Sequence, residues 1–114
     1  MRKPDEETLY VARVLALYLS LPATPARTSR HDRQLAQHWY AQPLAWELVE
    51  TALLLAVARR SLRDPALPPL GPIRSLHYFL PVLAEVMATP LAPEYVQYLR
   101  SKLAALARPA PTTA

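Results

Sequence analysis

The chain has 114 residues, of which 52% are hydrophobic and 19% charged, so its composition excludes an intrinsically disordered polymer and predicts one folded domain. Thirteen basic residues against nine acidic ones give a net charge of +4, and the absence of cysteine excludes a disulfide framework and thiolate metal sites. There are 13 prolines but one glycine and no asparagine, which leaves almost no residues for the hairpin turns of a multi-stranded antiparallel sheet.

The prolines divide the chain into helical segments. Leu and Ala account for 40 of the 114 residues, whereas Val, Ile and Thr account for only 15, and this composition is typical of helices. Proline disrupts helix interiors but is tolerated in loops and first turns, so proline clusters mark helix boundaries. We predict an all-α protein, a compact bundle of about five short helices in a single domain over residues 1–108, with a frayed tail over residues 109–114. The predicted helices span about residues 5–21, 29–41, 45–62, 73–89 with a kink at Pro81, and 93–107.

The first predicted helix, residues 5–21, is apolar around most of its circumference. Three acidic residues, Asp5 to Glu7, stand in its first turn, where the helix dipole favours anions. Beyond them, only Arg13 and Ser20 form a polar stripe. A helix of this kind is either central to a bundle or covered by a partner molecule.

The second predicted helix, residues 29–41, is amphipathic and begins at an N-cap residue, Thr28 or Ser29. Its periodicity places Leu35, His38 and Trp39 toward the core. The outward face carries polar and aromatic side chains: Arg30, Arg33, Gln34, Gln37 and Tyr40.

The third predicted helix, residues 45–62, contains the longest uncharged apolar run without proline, Thr51 to Ala58. Glu50 and Arg59 bracket this run, which is far shorter than the roughly 20 residues needed to span a bilayer. We therefore interpret it as the buried centre of a helix and expect no membrane partner.

The fourth predicted helix, residues 73–89, keeps a helical apolar period across Pro81. Pro81 cannot donate a hydrogen bond to the carbonyl of His77, so the helix should be bent or broken near His77 to Leu80. His77 itself lies on the apolar face, where we expect it to pack.

The fifth predicted helix, residues 93–107, has Pro93 at its first position. Its inward residues are Val96, Leu99, Leu103 and Leu106.

The residue inventory argues against catalysis and metal binding. His31 and His38 lie seven residues apart on one helix, a rise of roughly 10.5 Å, and no HExxH or comparable spacing occurs. One glycine cannot form a phosphate-binding glycine loop. We predict a protein that is not an enzyme and has no cofactor or metal.

The N-terminal sequence carries no pattern of a secretory signal. Acidic residues follow soon after Lys3, and no cleavage site of small residues occurs before Pro22. We therefore expect a cytoplasmic, bacterial-type protein.

Arginines form the candidate functional constellation. Eleven of the 13 basic residues are Arg, a side chain suited to bidentate contacts with phosphate or carboxylate. In an up-and-down bundle, the start of the second helix, the end of the third and the start of the fourth lie at one end of the molecule. The predicted nucleic-acid-binding residues at this end and on the adjoining helix face are Arg27, Arg30, Arg33, Gln34, Gln37, Arg59, Arg60, Arg63 and Arg74.

Other interpretations of these arginines remain open. Arginines near the end of a helix also match its dipole. Arg59 and Arg63 could pair with Asp64 or Asp32, and an acidic protein could bind where nucleic acid is expected.

Two aromatic residues beside Pro81 offer a further contact. Tyr78 and Phe79 could form a stacking platform for unpaired bases. The alternative is that both rings pack in the core, which is the commoner role of aromatic side chains.

Residues 32–86 resemble the helical DnaD-like domain of bacterial and phage replication-initiation proteins. The resemblance lies in the run LAWELVETALLLAVARR, an acidic and apolar helix that ends in arginines, followed after a short loop by IRSLHYFLPVLAEV. The family's tail carries a Tyr-x-x-x-Ile motif near a Trp. Tyr78 and Val82 have that spacing, with Val in place of Ile and without the Trp. The resemblance implies a helical domain that binds DNA and engages the helicase-loading machinery.

We therefore expect a non-enzymatic DNA-binding helical module, an accessory to DNA replication initiation or to a mobile element, that neutralises phosphates with its arginines. The alternative is a protein-protein interaction module, a homodimer or a subunit of a larger complex, that uses the apolar first helix. A second alternative is a small inhibitor of a nucleic-acid-processing enzyme, although such inhibitors usually need an acidic surface and this chain is basic.

Overall fold

Residues 6–107 are described by a computed structural model, and within this range the secondary structure consists of helices and turns with no strand. The predicted all-α bundle is confirmed. Asp5, at the start of the first predicted helix, and the predicted frayed tail over residues 109–114 lie outside the described residues. The α-helices are α1 (Glu6–Ser20), α2 (Arg30–Ala41), α3 (Trp46–Ser61), α4 (Leu80–Ala88) and α5 (Pro93–Ala107), and a 3-10 turn, η1, spans Leu76–Phe79.

The centre of the bundle is α3. All eight residues from Thr51 to Ala58 are buried, because α1, α4 and α5 pack around this helix. The hydroxyl of Thr51 donates to the carbonyl of Glu47 at 2.7 Å, which satisfies the only polar side chain in the run. The interpretation of this run as a buried helix centre is therefore confirmed. None of the helices within residues 6–107 combines the length and the hydropathy that a bilayer span requires.

The first helix, α1, packs on α2 and α3 through one face only. That face consists of Val11, Val14, Leu15 and Tyr18, all buried. The opposite face is exposed although it also carries apolar residues. Because α3 takes the central position, the first possibility for α1, a place at the centre of the bundle, is wrong. The second possibility, that a partner molecule covers α1, stays a prediction.

The second helix, α2, begins at Ser29, whose hydroxyl accepts the backbone N–H of Asp32 in a capping box. Leu35 and Trp39 are buried as predicted. Tyr40, predicted to face outward, is half-buried, because its ring packs edge-on against Tyr10 at a centroid distance of 5.3 Å.

Two histidines that were predicted to pack are exposed. His38 lies outside the buried face of α2, since that face centres on Leu35, Ala36 and Trp39 and His38 is roughly 100° round the helix from Trp39. Its ring nitrogen lies 3.1 Å from the side-chain amide nitrogen of Gln42. His77 is exposed because it belongs to η1, whose 3-10 geometry turns the neighbouring Leu76 inward instead.

The predicted fourth helix is broken where its proline indicates, but its predicted start is wrong. Residues 73–75 are not helical. The N–H of Ile73 donates to the carbonyl of Ala23 at 2.8 Å, which holds this segment against the connection between α1 and α2. After η1, Pro81 stands in the first turn of α4, where a missing N–H breaks no helical hydrogen bond. Pro81 therefore helps to start a new helix and does not kink a continuous one.

The last helix, α5, matches its predicted bounds and packs against α3. Leu99 and Leu103 are buried as predicted and Val96 is partly buried, whereas the side chain of Leu106 lies outside the described part of the chain. Arg100 donates to both carboxylate oxygens of Glu50, at 2.9 and 3.3 Å, and this pair fixes the middle of α5 beside the first half of α3.

Candidate nucleic-acid interface

Three parts of the chain meet at one end of the bundle: the connection between α1 and α2, the end of α3, and the proline-rich loop of residues 62–75. The loop is fixed to each of the others. Ile73 is hydrogen-bonded to Ala23, and the guanidinium of Arg60 donates to the carbonyl of Gly71 at 2.6 Å. We call the arginines that this topology brings together the basic end: Arg27, Arg30, Arg33, Arg60, Arg63 and Arg74.

Asp32 joins the start of α2 to η1. Its side chain is 1% exposed, and its two carboxylate oxygens accept the backbone N–H groups of Ser29 and Leu76, each at 2.8 Å. Leu76 lies two residues after Arg74, so this carboxylate sets the position of Arg74 relative to the first turn of α2. The predicted possibility of an ion pair between Asp32 and Arg59 or Arg63 is wrong, because Asp32 binds backbone groups.

Four arginines of the basic end have free guanidinium groups. Arg27, Arg30, Arg33 and Arg74 are exposed, and within residues 6–107 none of the four forms a hydrogen bond or ion pair with another side chain or backbone group. Gln34 and Gln37 are also exposed and continue the same surface along α2. These six residues can meet a ligand without first breaking an internal contact.

Arg60 and Arg63 are half-buried and bind neutral acceptors. Arg60 donates to the hydroxyl of Tyr78 at 3.2 Å as well as to Gly71, and Arg63 donates to the carbonyl of Pro68 at 2.5 Å. Carbonyl and hydroxyl oxygens carry no net charge, so these hydrogen bonds hold both guanidinium groups in place and leave their positive charge uncompensated.

Arg59 is the predicted site residue that forms an ion pair. Its guanidinium forms a bidentate ion pair with Glu85 of α4, at 2.5 and 2.9 Å. The hydrogen bonds from Arg59 lower the pKa of the Glu85 carboxyl and raise the pKa of Arg59 itself. Asp64, the other partner considered from the sequence, instead accepts the N–H of Ala66 at 2.9 Å. The charge of Arg59 is therefore compensated within the bundle.

Charge is unevenly distributed over the described residues. The basic end has six arginines against two acidic residues, Asp32 and Asp64, and neither aspartate forms an ion pair. The rest of the sequence has seven basic residues and seven acidic ones. The whole net charge of +4 therefore belongs to the basic end.

Sequence reasoning missed two features of this site. The role of Asp32 could have been inferred from its spacing, because a Ser followed three residues later by an acidic residue is a capping-box pattern. The carbonyls of Pro68 and Gly71 as acceptors for Arg63 and Arg60 had no signal in the sequence, since backbone oxygens are present at every position.

Metal ligands and known relatives are two further sources of evidence about a functional site. Within the part of the chain that the structure describes, no three His, Asp or Glu side chains lie close enough together to hold a metal ion. Comparisons with protein families, curated proteins and solved structures find no match to this chain. The resemblance to the DnaD-like domain therefore stays a prediction.

Proposed function

We propose that the protein is a non-enzymatic DNA-binding helical module whose basic end neutralises the phosphates of DNA. The observation that carries this proposal is the surplus of four positive charges at one end of a molecule that has no net charge elsewhere. Clustered positive charge provides most of the free energy of non-specific binding to DNA, because each neutralised phosphate releases counterions.

The residues of this surface suit the two kinds of contact that DNA offers. The planar guanidinium groups of Arg30 and Arg33 can each bind a phosphate through two N–H groups. Gln34 and Gln37, further along α2, have amide groups of the kind that bind base edges. The arginines would thus position α2 on the backbone, with its glutamines nearest the bases.

The resemblance of residues 32–86 to the DnaD-like domain supports a narrower role. We propose a cytoplasmic accessory to DNA replication initiation or to a mobile element. In this role the basic end would hold DNA while another surface contacts a protein partner.

The test is a fluorescence-polarisation titration of labelled DNA with matched pairs of variants. Arg30→Ala with Arg33→Ala removes two charges from the basic end. Arg13→Ala with Lys102→Ala also removes two charges, but Arg13 lies over Trp46 at the opposite end of α3, with the guanidinium carbon 4.2 Å from the ring centroid. We expect the first pair to weaken binding about ten-fold or more and the second to leave it unchanged. Equal effects of the two pairs, or no binding by the unmodified protein at low salt, would contradict the proposal.

A second candidate function is self-association through α1. Four exposed apolar residues, Leu9, Ala12, Ala16 and Leu19, follow each other at spacings of three, four and three, and Leu9 is 60% exposed. This is the spacing of a two-helix seam. In an antiparallel pair of α1 helices, Leu9 would face Leu19 of the second copy and Ala12 would face Ala16, so the face is complementary to itself.

Light scattering coupled to size exclusion tests this second candidate. We expect a dimer at micromolar concentration and a monomer for Leu9→Glu with Leu19→Glu, because the substitutions place charges in the seam. A monomeric unmodified protein at the same concentration would exclude self-association through α1.

A further inference from the structure

A cleft of about 350 Å³ opens between the end of α3, the proline-rich loop and the start of α4. Its volume is within the range of sites that hold small organic groups. One part of its lining is apolar and the other is basic. The apolar residues are Ala56, Leu70, Pro81 and Val82; the others are Arg59, Arg60, Arg63 and Tyr78.

In this cleft the guanidinium of Arg60 lies over the ring of Tyr78, and the two planar groups form one pair that other contacts hold in place. The guanidinium carbon of Arg60 lies 5.3 Å from the centroid of the Tyr78 ring, and its N–H groups are held by Gly71 and by the Tyr78 hydroxyl. Phe79 is buried and meets the Tyr78 ring edge-on at 5.3 Å, which fixes the ring against the core. Of the two aromatics considered as a stacking platform, only Tyr78 is exposed, by 40%.

We propose that this cleft takes one unpaired base of a single-stranded nucleic acid, so that the molecule prefers single strands to duplexes. The proposal rests on the function proposed above and names the form of nucleic acid that the basic end binds. A duplex hides the faces of its bases in the stack and shows only their edges in the grooves. The exposed surface of the planar Arg60–Tyr78 pair is a stacking surface that only an unpaired base can use.

The surrounding charges fit the backbone on either side of such a base. Arg63 lines the cleft beside Arg60, and both keep an uncompensated positive charge. The apolar lining suits the ring of a base and offers no matching contact to the carboxylates of an acidic peptide, the other class of ligand that arginines attract.

The test compares a labelled thymidine oligonucleotide with a duplex of the same length by fluorescence polarisation. Tyr78→Leu keeps an apolar side chain and removes the aromatic face. We expect it to lower single-strand affinity at least about five-fold and to leave duplex affinity unchanged, because a base stack contributes about 1–3 kcal/mol. The matched control is Tyr98→Leu, which replaces another exposed tyrosine, on α5 outside the cleft, and should change neither affinity.

Arg60→Lys provides a second variant that does not depend on the folding of Tyr78→Leu. It keeps the charge and loses the planar group, so single-strand affinity should fall while duplex affinity is retained. Circular dichroism confirms that each variant is folded.

Three results would overturn the assignment of the cleft: equal affinity of the unmodified protein for single strand and duplex, single-strand binding that is unchanged by Tyr78→Leu and Arg60→Lys, or displacement of the oligonucleotide by an oligoglutamate peptide at equal concentration. If Arg30→Ala with Arg33→Ala still weakens binding about ten-fold or more in those cases, the proposed DNA-binding function stands and only the cleft assignment fails. If the unmodified protein binds neither form at low salt, both fail.

Discussion

At the scale of single residues, the buried carboxylate of Asp32 connects two parts of the fold. A buried carboxylate is stable only when its oxygens are hydrogen-bonded. Here both oxygens accept backbone N–H groups, one from the N-cap residue of α2 and one from the first residue of η1. The same side chain therefore caps a helix and joins two segments that are 44 residues apart in the chain.

Replacing Asp32 by Asn should destabilise the fold. The side-chain amide of asparagine has one acceptor oxygen, which can accept the backbone N–H of either Ser29 or Leu76. The other backbone N–H would then face the NH₂ group of the amide, which is also a donor. We expect a loss of about 2 kcal/mol in the free energy of unfolding, measured by urea denaturation. Asp64→Asn is the control, because its carboxylate is exposed and accepts a single N–H, and it should lose well under about 1 kcal/mol. Equal losses for the two variants would contradict the role given to Asp32.

Two tyrosines make the stability of the fold sensitive to alkaline pH. Burial raises the pKa of Tyr10 and of Tyr18 to about 12, and the nearby charge of Asp32 adds to the effect at Tyr18. Neither hydroxyl has a hydrogen-bond partner within residues 6–107. Because the ordinary pKa of tyrosine is 10.0, the unfolded chain releases these protons first as the pH rises. The stabilising contribution of neutral Tyr18 is complete below about pH 10 and is lost between about pH 10 and pH 12.

Tyr18→Phe tests this pH dependence. The substitution removes a buried hydroxyl that has no partner, so at neutral pH the variant should be as stable as the unmodified protein or slightly more stable. Above about pH 10 it should lose less stability than the unmodified protein. Urea denaturation at neutral and alkaline pH measures both effects. Parallel loss of stability in the two proteins would show that Tyr18 does not titrate with a raised pKa.

At the scale of elements, proline positions and apolar periodicity predict the helices well where each helix is locally determined. The bounds of α2, α3 and α5 agree with their predictions within one residue at each end. The segment of residues 73–75 was predicted wrongly because its conformation depends on partners that are distant in the chain, Ala23 for Ile73 and Asp32 for Leu76. Hydrogen bonds of this kind leave no periodic signal in the local sequence.

The role of Pro81 gives a prediction for α4. Since Pro81 stands in the first turn, where its N–H is not needed, Pro81→Ala should change stability by less than about 1 kcal/mol and leave the helix content unchanged. Ala84→Pro, at an exposed position in the middle of α4, should cost about 3 kcal/mol or more. Far-UV circular dichroism and urea denaturation measure both variants. A marked gain of helix content in Pro81→Ala would favour a single helix interrupted by the proline.

At the scale of the whole molecule, the all-α architecture was predictable and the state of each charge was not. Hydrogen bonds join the loop and η1 to the end of α3, to the connection before α2 and to the start of α2, and so bring segments that carry arginines to one end. Which of them remain uncompensated depends on side-chain partners. Arg59 of α3 forms an ion pair with Glu85 of α4, whereas Arg60 and Arg63 donate hydrogen bonds to backbone carbonyl oxygens. The central position of α3 also depends on packing, since both α1 and α3 are largely apolar.

The central claim is that the basic end binds the phosphates of DNA, and the salt dependence of binding tests it most directly. Each phosphate contact contributes about −0.7 for single strands and −0.9 for duplexes to the slope of log K against log salt concentration. Contacts from four to six arginines therefore predict a slope between about −3 and −5, reduced in magnitude by about 1.5 in Arg30→Ala with Arg33→Ala. The slope for Arg13→Ala with Lys102→Ala should equal that of the unmodified protein. A slope near zero, or one that the two pairs of substitutions change equally, would contradict the claim.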